Sequence, residues 1–355
     1  DCKHRSKIKH LHSCFYSIIL DMKNKKKHFI TAILATLFLI LVLYLIFHDS
    51  LGEIKTQLFQ ADKKALLILV IFGNLYVLLD GWVLHYMIVK NREKCTLWQA
   101  IRLAYMVVFF NVTTFAAGTK PAQIYDLYQE SQIKPGKSFG ILTMEYVSHK
   151  LTIVLYAAVM LCFFHTVLFQ VSGLEKNYLL TGFGVSFAIL LFLTMFCINQ
   201  KFAPWLLRCS DHIKKEKIKE KAKAGISQME DFSRVGSVVI KDKQQWIGLI
   251  FRNAVKMTCL YALPAVAIFA VTGERLPLSV LECLAFSSVM QLLIGVIPSS
   301  GGTGSTELVF LMLFGSMTEK SVCGAAMILY RMATYYLPFL ISIPLLFFGK
   351  RSTEA

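Results

Sequence analysis

Six stretches of this chain, at about 29–47, 65–89, 139–169, 178–198, 246–271 and 322–348, stay apolar for longer than the roughly 18 residues that mark a membrane span. Inside a bilayer no water is present to satisfy backbone N–H and C=O groups, so uninterrupted runs of this kind are read as helices. Composition agrees: 55% of residues are hydrophobic and 17% charged, against about 25% charged in a soluble domain. The fold class expected is an all-α polytopic membrane protein.

The formal net charge of +16 would suggest nucleic acid in a soluble chain, but here topology explains it, and nucleic acid is not expected as a partner. Lys and Arg collect at 22–28, 90–94, 201–243 and 350–351, and the positive-inside rule sets all four in the cytoplasm. Met22 leads into Lys23-Asn24-Lys25-Lys26-Lys27-His28 and then the first apolar run. Residues 1–28 are therefore expected as a basic tail, with translation starting at Met22. Residues 29–348 form the membrane domain with a basic loop at 200–245, and 349–355 a short cytoplasmic tail. The nine cysteines are scattered, mostly in apolar runs, with no CxxC spacing; neither a disulfide framework nor a metal site or cofactor is expected.

Two apolar regions are broken. Leu292-Leu293-Ile294-Gly295-Val296 leads into Ile297-Pro298-Ser299-Ser300-Gly301-Gly302-Thr303-Gly304-Ser305-Thr306-Glu307, and 97–110 leads into Asn111-Val112-Thr113-Thr114-Phe115-Ala116-Ala117-Gly118-Thr119-Lys120-Pro121. Pro and clustered Gly stop a helix, and freed backbone at membrane depth is tolerated only against protein or a cavity. If 97–130 crossed once, the basic loop would land outside. A re-entrant hairpin there, and another at 278–316 entering from the opposite face, keeps every basic segment inside. The expectation is about six full transmembrane helices plus two re-entrant broken hairpins in an inverted repeat, the pattern of transporters whose sites lie at the midplane. Sliding the first break by 184 positions sets Gly118-Thr119 on Gly302-Thr303 and Gln123 on Glu307, with Pro121 at a first helical position and Gln123 or Glu307 as a capping partner.

The candidate binding residues follow from the breaks. A returning half-helix starting near Lys120 or Gly304 aims N–H groups and a positive dipole end inward, which suits a phosphate or carboxylate. Gly118, Thr119, Lys120, Gln123 and Tyr125 join Asn111 and Thr113 at the first break; Pro298, Gly301, Gly302, Gly304 and Glu307 form the second. Ionisable groups within apolar runs are costly and usually paired or functional. Glu145 shares a helix face with His149, and Arg331, followed by Tyr335 and Tyr336, is the counter-charge for Glu307, Glu145 or a lipid phosphate. Asp80 divides evenly between function and a structural pair, and Glu282 is placed at an interface. No GxSxG, HExxH or Walker A sequence is present, and no catalytic residue is nominated.

The runs Gly118-Thr119-Lys120-Pro121-Ala122-Gln123-Ile124-Tyr125, Pro298 to Glu307 and Arg331-Met332-Ala333-Thr334-Tyr335-Tyr336 occur in a recognisable order. Together they resemble the lysylphosphatidylglycerol synthetase transmembrane region, or flippase-like family, the membrane half of the multiple peptide resistance factor. The resemblance implies a multi-pass protein of the bacterial plasma membrane with both termini cytoplasmic. It implies handling of phosphatidylglycerol, its lysyl form or a related lipid-linked headgroup, with effects on envelope charge and cationic peptide resistance. It also implies, as the alternative, lysyltransferase-type lipid modification or lipid-linked glycosylation with the catalytic domain on another chain. The partners expected are membrane phospholipid, a separate cytosolic synthase and a second copy of the chain in a homodimer. The chain departs from the family pattern at Tyr146 and His149, where relatives carry Arg and Asp, and at Lys120, where a small residue is common.

Overall fold

A computed structural model describes residues 51–114, 118–172, 176–198, 235, 242–274, 276, 278–297 and 304–347. The basic tail with its expected start, the span at 29–47, almost all of the basic loop, the C-terminal tail, and Pro298, Gly301 and Gly302 lie outside them. Every element among the described residues is helical: α1 Leu51–Gln60, α2 Lys63–Lys90, α3 Leu97–Thr113, α4 Thr119–Ser131, α5 Pro135–Ser172, α6 Lys176–Ile198, α7 Lys243–Thr272, α8 Val280–Ile294, α9 Ser305–Phe314, α10 Lys320–Arg331, a π turn Met332–Tyr336 and α11 Leu337–Phe347. Segments at 63–90, 135–171, 243–272 and 320–346 are long and apolar enough to cross a membrane. The protein is an all-α polytopic membrane protein.

The central helix is α2. Its start is fixed by Asp62, whose carboxylate accepts hydrogen bonds from the N–H groups of Lys64 and Ala65. It packs on α7, α3, α5, α10, the π turn and α11, and two glycines allow the closest approaches. A Cβ on Gly73 would lie 2.2 Å from the carbonyl oxygen of Ala333, and one on Gly81 2.6 Å from Cα of Ile101. With no hydrophobic driving force between helices in lipid, such small-residue contacts carry much of the packing. The longest helix, α5, has 38 residues and departs from helical geometry at Phe164.

Each broken region is an antiparallel helical hairpin. In the first, Ser131 donates to Gln99, Arg102 pairs with Asp126 and Glu130, Gln123 donates to the Leu103 carbonyl and Thr119 donates to Asn111. As one arm advances the other retreats. In the second, Phe286 of α8 meets Phe314 of α9 at 6.1 Å between ring centroids. The arms have 17, 13, 15 and 10 residues. At 1.5 Å per residue the longest reaches about 26 Å, so each is shorter than a hydrocarbon core of about 30 Å. Each hairpin also carries its own apolar core: Phe109, Phe110, Ile124 and Leu127 pack with α2 and α5, whereas Phe286, Phe310 and Phe314 pack with α7 and α10.

Candidate substrate site at the paired helix breaks

The second break ends in a compact polar device. Gly304 is the N-cap of α9 with φ 86° and ψ −49°, and its N–H donates to Glu307 Oε2 at 2.8 Å. The other carboxylate oxygen, Oε1, lies 2.8 Å from Arg331 Nε, and both side chains are only 4% exposed. One carboxylate thus caps a helix and neutralises a buried guanidinium. The Arg331 guanidinium also sits 4.3 Å from the Tyr335 ring centroid, and Tyr335 meets Tyr336 edge-on at 5.5 Å. Arg331 is the last residue of α10, immediately before the π turn, a distortion common at functional sites.

Nothing lies within 4 Å of a Cβ built on Gly304, so its positive φ alone demands glycine. Gly304→Ala is expected to lower stability by about 1–3 kcal/mol, the cost of holding a non-glycine residue in such backbone. Thermal unfolding in detergent checks this; an unchanged midpoint would mean the cap relaxes freely.

The first break is built differently. Gly118 is the N-cap of α4, at φ −82° and without a side-chain cap; its N–H donates to Thr114 Oγ1 at 2.9 Å. The helix starts at Thr119, so Lys120 lies within its first turn and Pro121 at the third helical position rather than the first. Gln123 is not a capping residue: its Nε2 reaches back 3.3 Å to the Leu103 carbonyl and braces the hairpin. The two half-helix starts therefore align Gly118 with Gly304, two residues away from the register given by the 184-residue slide. Thr113 turns into its own helix, donating to Phe109 O. Tyr125 is half-buried further along α4 and joins none of these hydrogen bonds.

Helix α5 ties the breaks together. Lys120 Nζ donates to Leu142 O at 3.4 Å, while a Cβ on Gly295, just before the second break, would lie 3.2 Å from Lys150 Nζ. Residues 142 and 150 are about 12 Å apart along a helix axis. Between them Glu145 and His149 sit one turn apart. Glu145 is within electrostatic reach of Asp80, Lys120 and Lys256, and His149 is within electrostatic reach of Lys256, Lys150 and Lys120 and lies beside Asn253. Lys256 pairs with Asp80 at 2.7 Å. Tyr76 lies near both Asp80 and Glu145, and Tyr330 near Arg331, Tyr76 and Glu307. A layer of polar side chains inside an apolar bundle thus runs from one break to the other.

The decisive comparison is with protein families: residues 30–342 match the lysylphosphatidylglycerol synthase TM region. The chain belongs to that family. The resemblance read from the three motifs is borne out, and the match takes in both breaks, Glu145, Glu307 and Arg331. No curated protein matches the chain.

In this member of the lysylphosphatidylglycerol synthase TM family several residues matter that the sequence patterns did not single out. Lys256 and Asn253 are fully buried; Asn253 donates to Ser148 at 3.2 Å. Arg102 is locked between Asp126 and Glu130. The one signal these residues give is their presence as polar groups within or beside apolar runs. Glu282, placed at an interface from sequence, forms a reciprocal capping box with Ser279 at the start of α8, a helix-start role. Among the described residues no group of three or more His, Cys, Asp and Glu side chains is placed to hold a metal ion.

Proposed function

We propose that this chain is a flippase-like transporter of the bacterial plasma membrane, moving phosphatidylglycerol, its aminoacyl form or a related lipid-linked headgroup between leaflets. The observation that carries this reading is the polar layer joining two antiparallel broken hairpins within an apolar bundle. Lys120 supplies its anion-accepting end. Set in the first turn of α4, where the helix dipole is positive, it forms no ion pair among the described residues and has one carbonyl partner. A lipid phosphate is assigned to Lys120 and the α4 N-terminus, and a cationic aminoacyl group to Glu145. Arg331, expected from sequence as another phosphate ligand, is engaged by Glu307, so the pair acts as the latch of the second break. Alternate opening of the hairpins exposes the layer to each leaflet, and the Lys/Arg-rich segments support a cytoplasmic side for both termini.

The test is lipid exchange in proteoliposomes with fluorescent phosphatidylglycerol and lysylphosphatidylglycerol. Wild type is expected to move at least one of them, and Glu307→Gln and Lys120→Gln to lose that movement while remaining folded in the membrane. Wild-type rates in both variants would sink the assignment. A second reading rests on the family's name, which speaks of a synthase: the chain is the membrane half of a lipid-modifying assembly, alone or as a homodimer, with catalysis on a separate cytosolic chain. New aminoacyl lipid or glycolipid formed only when both chains are present, without lipid exchange by this one, would favour it.

A further inference from the structure

At the basic end of the molecule, α2 and α7 run antiparallel and meet where Gln245 Nε2 lies 3.3 Å from Met87 Sδ. Within this contact Arg252 of α7 lies 4.6 Å from the Trp82 ring centroid and 3.8 Å from that of Tyr86. A guanidinium carries five N–H donors. One of its nitrogens, Nη1, donates to Gly248 O at 3.0 Å, and Nε is buried with no acceptor. Among the described residues Arg252 has no carboxylate partner. Lys90 brings a second positive charge to the Tyr86 ring, at 5.9 Å, and is likewise unpaired there. On α7 the neighbours Ile247, Phe251 and Val255 are exposed, presenting an apolar stripe beside the guanidinium.

A guanidinium held against two rings is pre-organised for recognition of a phosphate. Left without an acceptor at the edge of a bilayer, its spare donors are costly. The hydrogen bond to Gly248 O points the side chain back toward the start of α7, the end that carries Lys243, as a snorkelling arginine does. We infer that Arg252, with Lys90, Trp82 and Tyr86, binds the headgroup phosphate of an anionic phospholipid resident in the bilayer, whose acyl chains lie along Ile247, Phe251 and Val255. Two cations and no carboxylate select a net negative headgroup over a zwitterionic one. The site does not depend on translocation: it is built from side chains outside the Glu145 and Glu307 groups.

Native mass spectrometry of the protein released from membranes containing phosphatidylglycerol and phosphatidylcholine tests this. Wild type is expected to retain phosphatidylglycerol preferentially, and Arg252→Gln to lose about fivefold of that preference, with Lys90→Gln losing less. Trp82→Leu, which keeps the charge and removes one ring, is expected to fall between. Equal retention of the two lipids by wild type, or an unchanged preference in Arg252→Gln, would overturn the site. If Arg252→Gln does not fold, Lys90→Gln decides, because Lys90 is exposed at a helix end. A preference weakened by that variant and by roughly 0.5 M salt supports the site, and one indifferent to both overturns it. Lys63→Gln, which removes an exposed cation at the opposite end of α2, is expected to retain phosphatidylglycerol as wild type does; an equal loss there would trace the preference to overall charge and overturn the assignment.

Discussion

Arg331→Ala is expected to lower the free energy of unfolding by about 3–5 kcal/mol, the cost typical of breaking a buried ion pair by removing one partner. The size follows from burial: with both side chains 4% exposed, the Glu307 carboxylate left behind has little water to turn to. It keeps the Gly304 N–H, one donor where a charge stood. Combining Arg331→Met with Glu307→Gln removes both charges, and the amide oxygen of Gln can still accept from Gly304. That double variant is expected to recover most of the lost stability, since replacing a buried pair by neutral groups is often nearly free. Chemical unfolding in detergent measures both. A single variant within about 1 kcal/mol of wild type would show that the pair is hydrated in the membrane. The double variant is expected to stay inactive in lipid exchange, which separates the fold from the transport role.

The second large effect is an asymmetry. In the Asp80–Lys256 pair the lysine side chain is 0% exposed and the aspartate 27%. Asp80→Asn strands a buried ammonium and is expected to cost about 3–5 kcal/mol. Lys256→Met leaves a carboxylate that is only partly enclosed and can neutralise by taking up a proton, and fills the vacated space with an apolar chain of similar length; about 1–2 kcal/mol is expected. Unfolding of the two variants side by side checks the order. Equal costs, or a larger one for Lys256→Met, would mean that the aspartate and not the lysine is the more enclosed partner.

The helices were legible because lipid imposes so simple a rule: runs read at 65–89 and 246–271 appear as Lys63–Lys90 and Lys243–Thr272. The breaks were legible for the same reason, since clustered glycine and proline free backbone groups that lipid cannot satisfy. Glu307 and Arg331 stood out as charges in apolar runs, and the structure pairs them. Lys256 did not stand out, because its partner Asp80 is 176 residues away and no local spacing connects them. Gln123 misled for a related reason. Its position resembled that of a capping residue, yet its partner is a carbonyl on the opposite arm, a contact that exists only once the hairpin has closed.

The π turn gives the last helix a mechanical character. Before the turn, Tyr330 meets Phe310 of the second hairpin at 5.7 Å; after it, Phe339 stacks on Phe109 of the first at 5.9 Å. Between these two grips Ala333 bears directly on Gly73. The segment is thus a crankshaft, with a throw at each end, a soft joint of wider coil in the middle and α2 as its bearing. A twist applied at Arg331 when its carboxylate lets go would be delivered about two turns away to the opposite hairpin, without any domain having to move as a block.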